Sequence, residues 1–424
     1  MYYKEIKKAK PITEEGVRQL QETVGSILQR VKKDGDSALR FYEKKFDNYE
    51  PTSFLISPAE AAKAGERLPS EIIEELDFAI ERVTAFAKAQ EESFTEFEKE
   101  MLPGIQMGQR IIPIASCLCY VPAGRYPCLT SAVMSVIPAK VAGVKRIVAC
   151  SPPGRGGSIN PGILYTMHKM GVDEIYCLGG AQAIGAFAFG THTIRPVDLI
   201  VGPGNQYVME AKRQVFGTVG IDFLAGPSEC LVIADETGRP DFIAADLLAQ
   251  CEHDPNARGA LVTTSETLAY ETLREIERQL KERTTEEVAR ASWENKGVAV
   301  LVENLSDGAR YANEYAPEHL EVHTSNPKTL LPLLHNYGSL FLGENTAEVY
   351  ADKIAGTNHI LPTCAAARYT GGLWVGMFLK VVTHQEVNIK ASLMLAKYAE
   401  TQSAFEGMDA HRYAAALRLK NLKL

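Results

Sequence analysis

The segment from Leu247 to His253 contains side chains that can ligate a metal. In a helix, Gln250 and His253 would lie three residues apart on one face, which is a common way for a single helix to supply two ligands. The pair therefore predicts a metal site. Taken alone, it fits equally well a helix with a surface glutamine and a structural histidine.

An adjacent carboxyl and imidazole follow a proline at Pro317-Glu318-His319. Histidine titrates near neutral pH and a glutamate can be tuned to act on a water, so the pair suits general acid/base catalysis near the edge of a sheet. The alternative is a solvated Glu318 beside a His319 that begins a helix.

Two further polar segments carry potential ligands. Asp352 to Thr363 brings a carboxylate, a glycine, small polar side chains and His359 together between apolar ends, a composition that favours a ligand site over packing. Near the chain end, the loop from Glu406 to His411 could place His411 in a neighbouring site. A solvated tail is the alternative for that loop.

Three glycine-containing turns could hold a phosphate on backbone N–H groups at helix N-termini: Tyr120 to Gly124, Gly179 to Ala183 and Val201 to Gln206. None completes the dinucleotide fingerprint G-x-G-x-x-G, because Tyr207 stands at the third glycine position. A nicotinamide cofactor could then bind only in an atypical way. The glycines also fit tight packing turns.

These segments must be positioned by a larger framework. Apolar residues at three- and four-residue spacing predict helices over Thr13–Phe46, interrupted at Asp34-Gly35-Asp36, and from Glu71 to Phe86, with Thr13 as a cap. Short apolar runs, each followed by a helical pattern, predict strands. They are Ile111 to Val121, Arg146 to Cys150, Glu174 to Leu178, Asp198 to Val201, Cys230 to Ala234, Gly259 to Thr263, Val298 to Val302 and Ser339 to Leu342.

Alternating strand and helix signals favour parallel sheets covered on both faces, and the number of strands fits two doubly wound α/β domains. After Lys380 the sequence is helical again and too short for an independent core, so we expect it to pack on another domain or on a partner subunit.

Composition excludes several classes of protein. The 424 residues are 46% hydrophobic and 23% charged with a net charge of −8, which is typical of a globular protein and unfavourable for nucleic acid. The eight cysteines include no C-x-x-C pair and lie mostly in apolar runs, as expected in a reducing compartment. With no segment apolar enough to span a membrane, we expect a soluble, cytoplasmic protein without a membrane partner.

Taken together, the motifs resemble those of the histidinol dehydrogenase family over nearly the whole chain. The shared segments are Gly35-Asp36-Ser37-Ala38-Leu39, Gly179-Gly180-Ala181-Gln182-Ala183, Gly202-Pro203-Gly204-Asn205, Ala225-Gly226-Pro227-Ser228-Glu229, Gln250 with Glu252-His253, Ala316-Pro317-Glu318-His319-Leu320, Gly356-Thr357-Asn358-His359 with Leu361-Pro362-Thr363, and Ala410-His411.

The resemblance implies a role for each matching residue. One zinc per subunit would be held by Gln250, His253, Asp352 and, from the other subunit of a homodimer, His411. Glu318 and His319 would be the acid/base pair. Substrate contacts would fall on Ser228, His359 and Glu406, and NAD contacts on Tyr120, Gln182 and Asn205.

It also implies an NAD-dependent alcohol and aldehyde dehydrogenase that oxidises a primary alcohol to a carboxylate in two hydride transfers through a bound aldehyde. The implied fold is two Rossmann-like parallel-sheet domains with a small helical tail, in an intertwined homodimer. We expect residues 20–115 with 229–372 in the first domain, 116–228 in the second, and 1–19 with 373–424 in the tail and dimerisation segments.

The substrate is less sharply indicated. Pro122-Ala123-Gly124-Arg125 carries Ala where histidinol dehydrogenases usually have Gly, and Arg368 to Leu373 also departs from their usual wording. Both segments look more like paralogues that oxidise (R)-2,3-dihydroxypropane-1-sulfonate, whose anion Arg125 could bind. Arg125 fits a surface or interface position equally well, and Ser228-Glu229 and Gly356-Thr357-Asn358-His359 retain the histidinol-type wording. L-Histidinol therefore stays the alternative substrate.

Overall fold

The computed structural model describes residues 3–10, 15–123, 126–154, 156–224 and 226–422. The chain divides into two units, of which the first is Met1–Ala89 with Ile114–Phe378 and the second is Gln90–Pro113 with Leu379–Leu424. Within the described ranges, no helix has both the length and the apolar character needed to cross a membrane.

The strands and helices follow the chain in regular alternation over much of the first unit. The strands are β1 (Tyr3–Lys7), β2 (Phe97–Leu102), β3 (Ile105–Pro113), β4 (Ser116–Tyr120), β5 (Arg146–Ser151), β6 (Glu174–Cys177), β7 (Leu199–Val201), β8 (Gly220–Ile221), β9 (Glu229–Ala234), β10 (Arg258–Thr263), β11 (Val298–Val302), β12 (His319–His323), β13 (Ser339–Leu342) and β14 (Leu379–Val387). The helices are α1 (Glu15–Asp34), α2 (Asp36–Asp47), α3 (Pro58–Ala62), α4 (Ser70–Glu91), α5 (Leu129–Val141), α6 (Pro161–Lys169), α7 (Gly180–Phe189), α8 (Gln206–Val215), α9 (Pro240–Cys251), α10 (Glu266–Leu280), α11 (Glu286–Lys296), α12 (Leu305–Tyr315), α13 (Glu348–Lys353), α14 (Ile389–Phe405) and α15 (Asp409–Asn421). Short 3-10 turns span Ala64–Arg67, Pro327–Thr329, Leu331–Leu333, Ala366–Arg368 and Val375–Phe378.

The first unit contains two parallel sheets with the same internal strand order. One sheet runs β6-β5-β4-β7-β8, and the other runs β11-β10-β9-β12-β13 with β1 added antiparallel at the β11 edge. In both, the chain starts at the centre, moves outward in one direction, and then returns to build the other half. This is the doubly wound arrangement, and it confirms the predicted α/β class with parallel sheets.

Alternating side chains of the central strand β9 serve two cores on opposite faces of the six-stranded sheet. Cys230, Val232 and Ala234 pack with α9, α10 and α11. Leu231 and Ile233 pack with α12 on the other face. The continuous apolar run of β9 is thus explained by burial on both faces.

Strand β12 has one apolar face and one polar face. Leu320 and Val322 lie in the α12 core, whereas His319, Glu321 and His323 alternate with them and share the other side of the strand. All five residues are buried. The polar three are paired in register with Cys230, Val232 and Ala234, which places them on the α9 side of the sheet.

The second unit is a three-stranded antiparallel sheet, in the order β14-β3-β2, together with the helices α14 and α15, which pack on each other. The predicted tail domain was purely helical and lacked this sheet. The reason is that β14 and β2 are exposed and charged, so neither presents the apolar run by which the other strands were recognised.

The structure also groups the N-terminal third differently from the predicted boundaries. Residues 20–115 were assigned with 229–372, yet α1 and α2 pack into the core of the five-stranded sheet, and Gln90–Pro113 belongs to the second unit. The predicted strand over Ile111 to Val121 is two strands, β3 and β4, which lie in different units. The predicted cap Thr13 lies outside the described residues.

Candidate active site

A cavity of about 420 Å³ opens between the two parallel sheets, and the residues that line it belong to the first unit. From the five-stranded sheet it receives Pro122, after β4, and Asn205, after β7. From the six-stranded sheet it receives Ser228, immediately before β9, and Glu318, immediately before β12. The cavity therefore lies at the carboxyl edge of one sheet and at the amino edge of the other.

Most of the residues that the sequence singled out meet at this cavity although they are far apart in the chain. Those that line it are Asn205, Ser228, Gln250, His253, Glu318, His319, Asp352 and His359. The shared location supports reading them as one site.

Backbone groups at the start of β9 fix the predicted acid/base pair, Glu318 and His319. The Glu229 N–H donates to Oε2 of Glu318 at 2.9 Å, and Nδ1 of His319 lies 3.1 Å from the Glu229 carbonyl oxygen. Because a carbonyl oxygen can only accept, Nδ1 carries the hydrogen and Nε2 keeps its lone pair. His319 is thus held as the tautomer that can accept a proton at Nε2.

Burial shifts the titration of both groups in opposite directions. It lowers the pKa of His319 to about 4, which keeps the imidazole neutral at pH 7. It raises the pKa of Glu318 well above its ordinary range, so that its carboxylate, once formed, is a stronger base than a solvated one. Burial thus leaves the His319 imidazole unprotonated but weakens it as a base, whereas it strengthens the Glu318 carboxylate as a base.

Asp352 and His359 form a second pair on the cavity wall. The Nδ1 atom of His359 lies 3.1 Å from Oδ1 of Asp352 and 2.8 Å from the Asp352 carbonyl oxygen, while Nε2 lies 3.0 Å from the Ser131 hydroxyl. Burial opposes ionisation of Asp352, but His359 and Lys353 outweigh it and hold the pKa of this carboxyl well below its usual range. Asp352 is therefore an anion that faces the cavity.

Gln250 lies in the last turn of α9, whereas His253, which was expected on the same helix, lies in the turn two residues beyond the helix end at Cys251. Gln250 is 1% exposed, and among the described residues no group hydrogen-bonds to its Oε1 atom. A buried amide oxygen without a donor is costly unless something else occupies it. With His253 and Asp352 on the same cavity, this oxygen completes a mixed N and O donor set that fits zinc.

The sequence reasoning missed Glu348, which also lines the cavity. It is 3% exposed, burial raises its pKa to about 7, and its Oε1 atom lies 3.5 Å from Nε2 of His319. A signal was present, because Glu348 stands four residues before Asp352 and a single turn of helix α13 places both on one face.

The polar face of β12 continues past His319 into a cluster of three ligand-type side chains, Asp246, Glu321 and His323. Nε2 of His323 lies 3.1 Å from Oε2 of Glu321, and Oε1 of Glu321 accepts the Glu348 N–H at 3.1 Å. Burial raises the pKa of Glu321 and of Asp246 to about 8. The sequence reasoning did not identify this cluster, whose contact with Glu348 fixes the start of α13.

Two of the three predicted NAD contacts are buried: Tyr120 at the end of β4 and Gln182 in α7. Tyr120 is 3% exposed and its hydroxyl accepts the Gly180 N–H at 3.1 Å, and Gln182 is 1% exposed. The Nε2 atom of Gln182 donates to Oε1 of Glu43 at 2.8 Å. The third, Asn205, lines the cavity and caps α8 by accepting the N–H groups of the next turn.

Two predicted substrate or metal residues do not belong to the first unit. Glu406 and His411 belong to the second unit, where both are exposed, Glu406 at the end of α14 and His411 in the first turn of α15. Arg125, the predicted sulfonate contact, lies outside the described residues.

Comparison with known proteins gives a consistent result over the chain. Residues 11–419 match the family model described as histidinol dehydrogenase. The chain is 46% identical to a histidinol dehydrogenase homolog of Shouchella clausii, covering 95% of this chain and 94% of that protein. It is 40% identical to a sulfopropanediol 3-dehydrogenase of Ruegeria pomeroyi, covering 98% and 95%. The crystal structure of histidinol dehydrogenase from Elizabethkingia anophelis superposes with a TM-score of 0.91 at 36% identity, covering 98% of this chain and 95% of that one.

Proposed function

This chain belongs to the histidinol dehydrogenase family of oxidoreductases, and we propose that it converts a primary alcohol to a carboxylate through a bound aldehyde, with zinc and NAD. The observation that carries the proposal is the buried, neutral His319 beside Glu318 on a cavity that also presents amide, imidazole and carboxylate donors. We further propose (R)-2,3-dihydroxypropane-1-sulfonate as the substrate, with L-histidinol as the second candidate.

Zinc would be held by Gln250, His253 and Asp352, with the fourth position filled by the partner's His411. The Oε1 atom of Gln250 accepts no hydrogen bond from the described residues, and this supports the proposed ligand set. When bound, zinc would act as a Lewis acid and a template for the substrate hydroxyl. The homodimer that this set requires is supported by apolar side chains exposed in the second unit, such as Phe405 at 95% and Tyr398 at 72%.

His319 is the proposed base for the first oxidation. Its Nε2 atom takes the hydroxyl proton while a hydride leaves the carbon that bears the hydroxyl. The alcohol thereby loses one proton and one hydride and becomes an aldehyde. When bound, NAD would accept that hydride. The Nδ1–H contact to the Glu229 carbonyl keeps Nε2 in the receptive tautomer throughout.

Glu318 is the proposed base for the second oxidation. A water adds to the aldehyde carbon and gives one proton to the Glu318 carboxylate, while His319 returns a proton to the aldehyde oxygen, so that a hydrate forms. Loss of a hydride from that carbon, which a second NAD would accept, and of a hydroxyl proton to His319 leaves the carboxylic acid. The donated Glu229 N–H fixes the carboxylate, and burial makes it basic enough for this step. Glu318 therefore acts in the second oxidation alone, whereas His319 exchanges protons in both.

We place NAD at the carboxyl edge of the five-stranded sheet. Asn205 lines the cavity there, and the turn that follows β6 leads directly into α7. Tyr120 fixes that turn by accepting the Gly180 N–H, and Gln182 fixes it by donating to Glu43. Their proposed effect on NAD is accordingly exerted through the shape of the turn as well as by contact.

The preference for the sulfonated diol comes from the sequence features around Arg125 and Arg368 and from the sulfopropanediol 3-dehydrogenase relative. Ser228 and Glu406 would contact the substrate in either case. L-Histidinol is supported by the retained Ser228-Glu229 wording and by the structural match to a histidinol dehydrogenase.

The test is NADH formation by the purified, zinc-loaded protein with each of the two alcohols, counting NADH per substrate consumed. Two NADH from the sulfonated diol alone supports the proposal. Two NADH from L-histidinol alone assigns the second candidate, and one NADH from either alcohol contradicts oxidation to the acid.

A further inference from the structure

The charges on the cavity wall are unevenly distributed. Among the described residues that line it, four carboxyl side chains face one lysine and no arginine. The carboxyl groups belong to Asp254, Glu318, Glu348 and Asp352, and the lysine is Lys353. An anionic substrate would be repelled from this wall except near Lys353 and a bound metal.

Lys353 stands at the end of α13, directly after the predicted zinc ligand Asp352. It lines the main cavity and also a second one of about 340 Å³, with which the main cavity shares Cys128, Thr130 and His253. Its side chain is 52% exposed. The ammonium group is therefore at the junction of the two cavities and accessible from them.

The ammonium group contacts Oδ2 of Asp352, while Oδ1 of the same carboxylate faces His359. An ammonium has three N–H donors, and this contact uses one of them. Two donors are left for oxygen atoms of a ligand. Asp352 thus holds Lys353 in place without exhausting its capacity to bind an anion.

We propose that Lys353 selects substrates bearing an anionic group remote from the alcohol, such as a sulfonate, and disfavours those bearing an ammonium group. The inference deepens the proposed function and rests on it, since it names what distinguishes the two candidate substrates. L-Histidinol carries an imidazole in place of the sulfonate and an amine that is protonated at neutral pH, so Lys353 would offer it no ion pair and would repel its charge.

Binding a remote anion also serves catalysis. A charge contact at one end of a small diol limits the orientations in which the hydroxyl-bearing carbon can meet His319. Loss of the contact should accordingly fall on kcat/KM for the anionic substrate and spare an uncharged one.

The experiment compares K353M and K353R with the wild type and with K145M, which removes an exposed lysine in the turn before β5 that does not line the cavity. Each zinc-loaded protein is assayed with (R)-2,3-dihydroxypropane-1-sulfonate and with propane-1,2-diol, and rates are expressed per bound zinc. We expect kcat/KM for the sulfonated diol to fall roughly 30-fold in K353M, the scale of a hydrogen bond to a charged group. K353R should recover part of it, and propane-1,2-diol should change less than about threefold.

An equal loss for both diols, or a loss that vanishes when rates are corrected for bound zinc, overturns the selection role. An unchanged kcat/KM for the sulfonated diol in K353M also overturns it while leaving the proposed function intact. If the wild type instead oxidises a carboxylate- or phosphate-bearing diol with the same dependence on Lys353, the inference stands and the named substrate falls. A wild type that prefers L-histidinol contradicts both the inference and the sulfonated diol as the substrate.

Discussion

The two parallel sheets of the first unit share one strand order but contribute to the site from opposite edges. The five-stranded sheet presents its carboxyl edge, with Asn205 just after β7. The six-stranded sheet presents its amino edge, with Ser228 before β9 and Glu318 before β12. Doubly wound sheets commonly bind ligands at their carboxyl edge, so the second sheet departs from that usage.

The two sheet edges present different chemical groups to the cavity. At the carboxyl edge of the five-stranded sheet, turns lead into helix N-termini, which suit phosphate. At the amino edge of the six-stranded sheet, the first backbone N–H of β9 points out of the ladder and is free to hold the Glu318 carboxylate. These groups fit the proposal that one edge binds the cofactor and the other transfers protons.

The largest effect should come from the imidazole at the amino edge. His319→Asn removes the base while keeping a polar side chain, and we expect kcat to fall about a thousandfold or more for both oxidation steps. Steady-state NADH formation from alcohol and from added aldehyde measures the two steps. His335→Asn, at an exposed position, is the matched control and should stay within twofold of wild type. A decrease limited to one step would contradict the role in both.

Substitution of Glu318, the neighbour of His319, should affect fewer steps of the reaction. Glu318→Gln keeps the size and can still accept the Glu229 N–H, but it cannot take a proton from water. We expect oxidation of added aldehyde to fall about a hundredfold or more, and the first hydride transfer to fall less than about tenfold. Single-turnover kinetics with each substrate separates the steps. Aldehyde oxidation at the wild-type rate would remove Glu318 from water activation.

For Glu43, near the carboxyl edge of the five-stranded sheet, the most informative measurement is how stability depends on pH. Burial raises the pKa of Glu43 from 4.5 to about 7, so the folded protein keeps a proton that the unfolded chain releases above pH 4.5. Stability therefore falls as pH rises from about 4.5 to 7 and is level above that window. Glu43→Gln should remove up to about 3 kcal/mol of this fall.

Unfolding free energies at pH 5 and pH 8 test this expectation, with Glu74→Gln at an exposed position as the control. NAD affinity should change only a few-fold, because a glutamine can still accept from Gln182. Parallel pH profiles for wild type and Glu43→Gln would show that Glu43 does not titrate in this range.

The smallest effect is expected at Cys251, next to the proposed metal ligand Gln250. Cys251 follows Gln250 but points into the α9 core, and burial raises its pKa to about 11, so it is a poor thiolate. Cys251→Ala should leave kcat/KM within about threefold of wild type and lower the unfolding free energy by about 1 kcal/mol. A loss above a hundredfold would implicate the thiol in catalysis.

Much of this framework was predictable because its strands are apolar on both faces. The runs at Arg146, Cys230 and Val298 were recognised for that reason, and β5, β9 and β11 confirm them. Strand β12 was not recognised, because its alternating His319 and Glu321 break the apolar run. Its polar residues are buried by α9 and α13, which no local pattern reveals.

The site was predictable where a motif carried it and not where only packing did. Gln250, Glu318 and Asp352 stand in motifs, and the fold brings them to one cavity. Glu43 and Glu348 are isolated glutamates in charged helices, which a sequence cannot distinguish from solvated ones. Their burial results from long-range contacts with Gln182 and with the face of β12.

The two-faced strand β12 makes the site unusually intolerant of insertions and deletions. Because side chains alternate with a period of two, removing one residue between Ala316 and His319 would exchange the faces and send Leu320 and Val322 toward α9. The core would then receive His319 and Glu321 instead. An insertion or deletion of one residue in this segment therefore disrupts the core together with the predicted acid/base pair.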